Sequence, residues 1–356
     1  MSLAEKLARR IVAAGPIAVA DYMGACLHDP EYGYYTTRPA LGAAGDFVTA
    51  PHVSQMFGEI LGLWAVDTWR RIGRPRRARL VEMGPGDGTM LGDMLRAARV
   101  DPAFLAAVEV WLVETSAPLR QAQARALAGR PARWVESLAA VPADLPVILV
   151  ANEFLDCLPI DQLVRTADGW RERRVGVDGG GALAFVIAGP ACSDRAEPAD
   201  AASGSIREVS DALADMGAVV GGVVSRTGGA ALFIDYGRDR ADLGDTLQAL
   251  RGHEKHDPLE GPGAADLTAH VDFPAFIEAA CGAGGAAAEI RSQRAFLRTL
   301  GIDARAAALS TARPDLADTI GRQLERLIGE EAMGLLFKAV CVHAPGLSPP
   351  GFEGAG

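Results

Sequence analysis

Basic charge is scarce in this chain of 356 residues: 35 Lys and Arg stand against 45 Asp and Glu, a formal net charge of −10. A surface that follows phosphates needs clustered Lys and Arg, so nucleic-acid binding is excluded, and the acidic balance suits a basic protein partner better. Cysteine is also sparse. Cys26, Cys157, Cys192, Cys281 and Cys341 lie far apart with no Cys-x-x-Cys pair, which excludes a disulfide framework and a zinc site and implies a reducing compartment. No apolar run approaches the roughly 20 residues that span a bilayer, so membrane insertion is not expected. The first twelve residues carry helical spacing without an apolar signal core or a small-residue cleavage site, and are read as a first helix. With 49% hydrophobic and 22% charged residues, the chain has the means for a full core and an accessory segment.

What the chain does have is a set of apolar runs that stop at acids. Leu80-Val81 ends at Glu82 and runs into Gly84-Pro85-Gly86-Asp87-Gly88; later runs close on Glu114, on Asn152-Glu153 and on Asp235. In an open parallel α/β sheet the strand C-termini line one ligand crevice, so a row of carboxylates there points to a cationic cofactor or substrate. The pattern predicts strands at 79–83, 108–114, 146–151 and 230–235 with helices at 88–99 and 116–128 between them, the βαβ rhythm of a parallel sheet. A core at 76–160 and 205–345 follows, preceded by a helical and loop segment at 1–75 that covers the site and includes a helix from Phe57 to Trp69. Short runs at 162–165, 170–177 and 182–187 predict an inserted antiparallel meander with a surface loop over 161–204. A helix is expected near 206–226, further helices at 273–281 and 315–327, a last strand at 335–343 and a loose tail at 346–356.

Glycine at 84, 86 and 88 lets backbone N–H groups approach a ligand closely. Nicotinamide enzymes prefer G-x-G-x-x-G, whereas the position three after Gly86 is Thr89. That departure disfavours NAD and favours S-adenosylmethionine, which has a sulfonium and an α-ammonium but no pyrophosphate. Glu82 is placed to serve its amino-acid end, and Glu114 to accept its ribose hydroxyls, although either could be a solvated strand end. Asn152, Glu153 and Asp156 can orient a nucleophilic nitrogen by accepting its N–H bonds, with Asn152 on the cofactor side; Asp156 also reads as a helix cap. If that nitrogen belongs to a guanidinium, catalysis rests on positioning and charge. His253 and His256 lack a third metal ligand, so no metal is expected; His256 and Tyr236 are weaker catalytic candidates.

At Gly45-Asp46-Phe47-Val48-Thr49-Ala50-Pro51, Phe57-Gly58-Glu59, Glu82 to Gly88, Asn152 to Asp156, Asp235-Tyr236-Gly237 and Asp266 to Phe273, the chain resembles the MidA-like family of S-adenosylmethionine-dependent protein arginine methyltransferases, which includes a mitochondrial complex I assembly factor. The resemblance implies an α/β class I methyltransferase fold with a Rossmann-like seven-stranded sheet, mostly parallel with an antiparallel last strand. It also implies cofactor contacts at Gly84, Gly86 and Glu114, and a contribution from Asp46, Phe47 and Thr49 packed over the pocket. The implied substrate is an arginine on a respiratory complex I subunit, methylated in a bacterial cytoplasm. Two other readings stand beside it: a non-catalytic assembly chaperone of a respiratory complex, and an NAD-dependent dehydrogenase. The sequence gives no oligomeric state.

Overall fold

The computed structural model describes residues 1–37, 49–191, 198, 200–252 and 254–353. The expected contributions of Asp46 and Phe47, and His253, lie outside the described residues. Six strands form the body of the central sheet: β1 (Ala78–Met83), β2 (Val108–Val113), β3 (Ala132–Val135), β4 (Val147–Asn152), β5 (Ala230–Arg238) and β6 (Phe337–His343). Their spatial order is β3-β2-β1-β4-β5-β6, parallel except for β6, which pairs antiparallel with β5. Two-residue strands at Ala286–Ala287 and Arg291–Ser292 finish the edge beyond β6. The expected fold class is the one observed. Because β1 to β3 run one way across the sheet and β4 to β6 the other, the order reverses between β1 and β4, and that is where an open α/β sheet leaves its crevice.

Burial on both faces makes these strands nearly continuous apolar runs. Successive residues serve opposite layers: Leu80, Val110, Ile148 and Leu232 join one core, whereas Val81, Trp111, Leu149 and Phe233 join the other. The helices Gln55–Arg71 and Thr89–Ala97 cover the first face and the helices Asp211–Thr227 and Phe273–Gly282 the second. These pairs cross very closely. A Cβ at Gly221 would stand 2.0 Å from the Ala280 carbonyl oxygen, and one at Gly62 would stand 2.4 Å from that of Met94.

The meander is present as Asp161–Thr166, Gly169–Val177 and Leu183–Ala191, but its sheet draws on more of the chain than the pattern shows. Ile17–Ala18 adds to one edge, and Ile206–Val209 pairs with residues 161–164 where a helix is predicted to begin. That helix starts only at Asp211, after Ser210, whose Oγ accepts from the Leu213 N–H at 3.0 Å. A third core joins Leu7 and Ile11 of the first helix to Val175 and to Ala249 and Leu267 of a small sheet formed by Gln248–Arg251, Glu254–His256 and Asp266–Thr268. Thus the N-terminal segment and the meander pack as one body, while the helix Gln55–Arg71 belongs to the central sheet. Asp272 caps the helix that follows it, accepting from Ala275 N–H at 3.0 Å. Residues 346–353, expected to be loose, are instead docked. Phe352 packs on Phe296 with ring centroids 5.1 Å apart, and Glu353 pairs with Arg71 at 2.5 Å.

Gly221→Ala will therefore lower stability by about 1–3 kcal/mol through overpacking. Gly321→Ala will raise it by about 0.5–1 kcal/mol, because a Cβ in the helix Ala317–Ile328 meets nothing within 4 Å there. Urea unfolding of the two variants beside the parent checks both signs.

Candidate functional site

A cleft of about 370 Å³ opens at the β1/β4 reversal, walled by the ends of β1, β2 and β4, by the first residues of the Thr49–Val53 turn and by His28, Tyr35 and Asp266 from the N-terminal body. Its acids are Glu82, Asp87, Glu114, Glu136, Glu153, Asp156 and Asp266. Among the described residues no Lys or Arg lines it. The sequence-predicted residues Glu82, Gly84, Gly86, Glu114, Asn152, Glu153, Asp156 and Thr49 converge here.

The glycine turn is built for backbone access. Gly84 and Gly86 have φ of +62° and +52°, which a side chain would strain, and a Cβ at Gly86 would meet nothing within 4 Å. Gly88 departs from its expected cofactor role: it lies outside the cleft wall at the start of the helix Thr89–Ala97, where a Cβ would stand 3.0 Å from the Gln123 Cα. It is glycine for its own left-handed backbone, φ +88°, and for packing. Gln123 then ties the turn to the next strand, its Nε2 donating to the Gly86 carbonyl at 2.8 Å and to Glu114 Oε2 at 3.1 Å while its Oε1 accepts from Trp134 Nε1 at 2.8 Å. Glu114 Oε1 accepts from the Ser116 N–H at 2.7 Å. A carboxylate offers about four lone-pair sites, so two remain on Glu114 beyond those taken by Ser116 and Gln123.

Glu82 is 1% exposed and its Oε2 has no hydrogen-bond partner; burial, and then the charge of Asp87, push its carboxyl well above the usual range. Asn152 Oδ1 is likewise buried and unpartnered. Unpaired buried acceptors are costly, and these two flank the turn where the ammonium of S-adenosylmethionine would supply donors. The residues present therefore fit that cofactor.

The turn after β4 forms the other end of the cleft. Asp235 Oδ2 accepts three successive backbone N–H groups, from Phe154 at 3.0 Å, Leu155 at 2.9 Å and Asp156 at 3.2 Å. Glu153 bends away ahead of them in the left-handed region, φ +50°. Its Oε1 accepts from the Ala50 N–H at 3.0 Å and from Asn152 Nδ2 at 2.9 Å. Burial, reinforced by Asp156, raises the Glu153 carboxyl to about 7. Burial also raises Asp156 to about 6, against a hydrogen bond of 2.5 Å from the Tyr236 hydroxyl. Tyr236 thus touches Asp156 and does not line the cleft. His256 also stands apart: it sits on the strand Glu254–His256, paired with Ala249, outside the cleft wall.

Sequence reasoning missed His28, Tyr35, His52, Asp87 and Asp266 as cleft residues. The Tyr35 hydroxyl donates to Asp266 at 2.9 Å across 231 residues of chain, a contact no local pattern announces. His52 bonds Asp87 Oδ2 at 3.1 Å and Thr49 Oγ1 at 2.8 Å. Among the described residues no group of three His, Cys, Asp and Glu side chains is arranged to hold a metal ion.

Comparison with known proteins agrees with this geometry. A family model described as S-adenosyl-L-methionine-dependent methyltransferase matches residues 60–291. Protein arginine methyltransferase NDUFAF7, mitochondrial, of Danio rerio is 37% identical over 95% of this chain and 86% of its own length. The Homo sapiens protein of that name is 35% identical over 92% and 80%. The crystal structure of a superfamily member from Burkholderia thailandensis bound to S-adenosyl-homocysteine superposes with a TM-score of 0.84 at 30% identity, covering 99% of this chain and 93% of that one.

A carboxyl raised by folding binds more protons in the native state, so stability falls as pH climbs from the unfolded value near 4.5 to the folded value of about 7. Glu153→Gln abolishes that loss. The variant will gain up to about 3 kcal/mol over the parent at pH 8 and nothing at pH 4.5, as read by denaturant unfolding at the two pH values.

Proposed function

The chain belongs to the S-adenosyl-L-methionine-dependent methyltransferase family, and from that membership we propose that its methyl acceptor is an arginine side chain of a protein. The observation that carries this reading is the acid-lined cleft without a described Lys or Arg. A guanidinium keeps its proton below a pH of roughly 12, so it enters as a cation and must meet anions. Glu153, Asp156 and Asp266 supply them at the end of the cleft away from Glu114. The arginine methyltransferase names of the relatives support the same acceptor and favour catalysis over a chaperone role.

Bound S-adenosylmethionine supplies an electrophilic methyl group on a sulfonium. The chain's own task is alignment at about 3–3.5 Å and charge placement. Glu153 Oε1 is occupied by Ala50 N–H and Asn152 Nδ2, which fixes the carboxylate and leaves Oε2 to accept from the acceptor nitrogen. Asp156, held by Tyr236, accepts from a second guanidinium N–H. The guanidinium nitrogen loses a proton as it gains the methyl group, and Glu153, at about 7, is poised to take it. We further propose a respiratory complex I subunit as the protein carrying that arginine and the bacterial cytoplasm as the compartment.

Ionised Glu153 and Asp156 are the active forms. The rate constant kcat/KM will therefore rise with pH through about 6 to 7 and level above, the reverse of the stability trend. Glu153→Gln will lower kcat about 10²–10⁴-fold and flatten that rise, while calorimetry shows S-adenosylhomocysteine still bound. Mass spectrometry of complex I subunits from cells lacking the gene will show one methylarginine mark missing. Unchanged marks there would redirect the search for the substrate, and assembly that proceeds normally with Glu153→Gln would support the chaperone reading instead.

A further inference from the structure

The cofactor carries one anion, its α-carboxylate, into a cleft of acids. Two histidines line that cleft, and their surroundings differ. Burial lowers His28, which stacks on Tyr35 with ring centroids 5.8 Å apart. The hydrogen bond that His52 donates to Asp87 raises the imidazole, helped by the charges of Asp87 and Glu153, the charged groups that face it. Both ring nitrogens of His52 are engaged, Nε2 with Asp87 Oδ2 at 3.1 Å and Nδ1 with Thr49 Oγ1 at 2.8 Å. Thr49 stands at the N-cap of the turn Ala50–Val53, yet its hydroxyl makes no capping bond and is given to the imidazole.

The proton positions follow from donor and acceptor rules. Hydrogen bonds from His52 and Thr89 hold Asp87 down at about 2 against its burial, so Asp87 is ionised and only accepts. His52 Nε2 must therefore carry a proton in either charge state. In the neutral ring Nδ1 is then an acceptor, and it takes the Thr49 hydroxyl proton. In the imidazolium Nδ1 donates to Thr49 Oγ1, and the hydroxyl proton has to point elsewhere.

We propose that Asp87, His52 and Thr49 form a relay in which the imidazolium turns the Thr49 hydroxyl proton into the cleft to bind the α-carboxylate of the cofactor. Thr49 is the residue that touches the ligand; His52 and Asp87 are positioning residues that also bring the one cationic side chain among the described cleft residues close to that carboxylate. The relay sits between the glycine turn, through Asp87, and the acceptor turn, through the Ala50 N–H bonded to Glu153.

The test compares two ligands by calorimetry on the full chain: S-adenosylhomocysteine and its decarboxylated analogue. Thr49→Val and His52→Asn are expected to weaken S-adenosylhomocysteine about tenfold to a hundredfold and to leave the analogue unchanged, and Thr49→Ser to restore binding. For the parent chain, affinity for S-adenosylhomocysteine will fall as pH rises past the raised His52 value, while the analogue does not follow. Unchanged analogue binding also shows that each variant is folded. Equal weakening of both ligands by the near-isosteric Thr49→Val, or no weakening of either, would overturn the relay.

Discussion

One buried carboxylate holds the working end of this molecule together. Asp235, 1% exposed within β5, accepts the backbone N–H groups of Phe154, Leu155 and Asp156 through Oδ2 and that of Tyr236 through Oδ1. Three consecutive amides of a turn can face one oxygen only if the chain curls around it, so Asp235 shapes the segment after β4 like an external helix cap. The left-handed Glu153, the direction of Asp156 and the seat of Phe154 beside Gly84 all follow from that curl. A Cβ at Gly84 would stand 2.8 Å from Phe154 Cδ2, so the acceptor turn and the cofactor turn pack on each other without room for a methyl group.

The same arrangement crowds negative charge. Burial, and then the charges of Asp156 and Glu153, push Asp235 up, and burial also raises Glu82, Glu153 and Asp156. Isolated charges in such a place are costly unless paired or neutralised by proton uptake. The empty-handed acceptors Glu82 Oε2 and Asn152 Oδ1 belong to the same pattern. Strain of this kind is stored at sites that await a ligand of the opposite sign, and two cationic partners meeting in one cleft relieve it together.

The sequence made the central sheet legible because its signals are local. Each long strand reads as an apolar run, Gly84 and Gly86 declare their positive φ by being glycine, and Glu82, Glu114 and Asn152-Glu153 mark strand ends by simple adjacency. What stayed hidden is non-local. Ile206–Val209 is four residues long and runs into a strong helical pattern, so its pairing with residues 161–164 outweighs a signal that the helix dominates. Asp266 and Tyr35 meet only through the tertiary fold, and the C-terminal residues hold through Phe352 on Phe296 and Glu353 on Arg71, partners more than fifty positions away. Gly88 misled for another reason: its spacing imitates a ligand contact, while the demand for glycine comes from its own φ of +88° and from the Gln123 backbone behind it.

The single amide of Gln123, shared between the Gly86 carbonyl and Glu114, has a consequence for ligand recognition. Glu114 cannot shift without pulling on the main chain at Gly86, so the end of β2 and the glycine turn respond to a ligand as one mechanical unit. A group seated on Glu114 alone would set the glycine turn as well, and whatever part of a ligand arrives later would meet a mould that is half made.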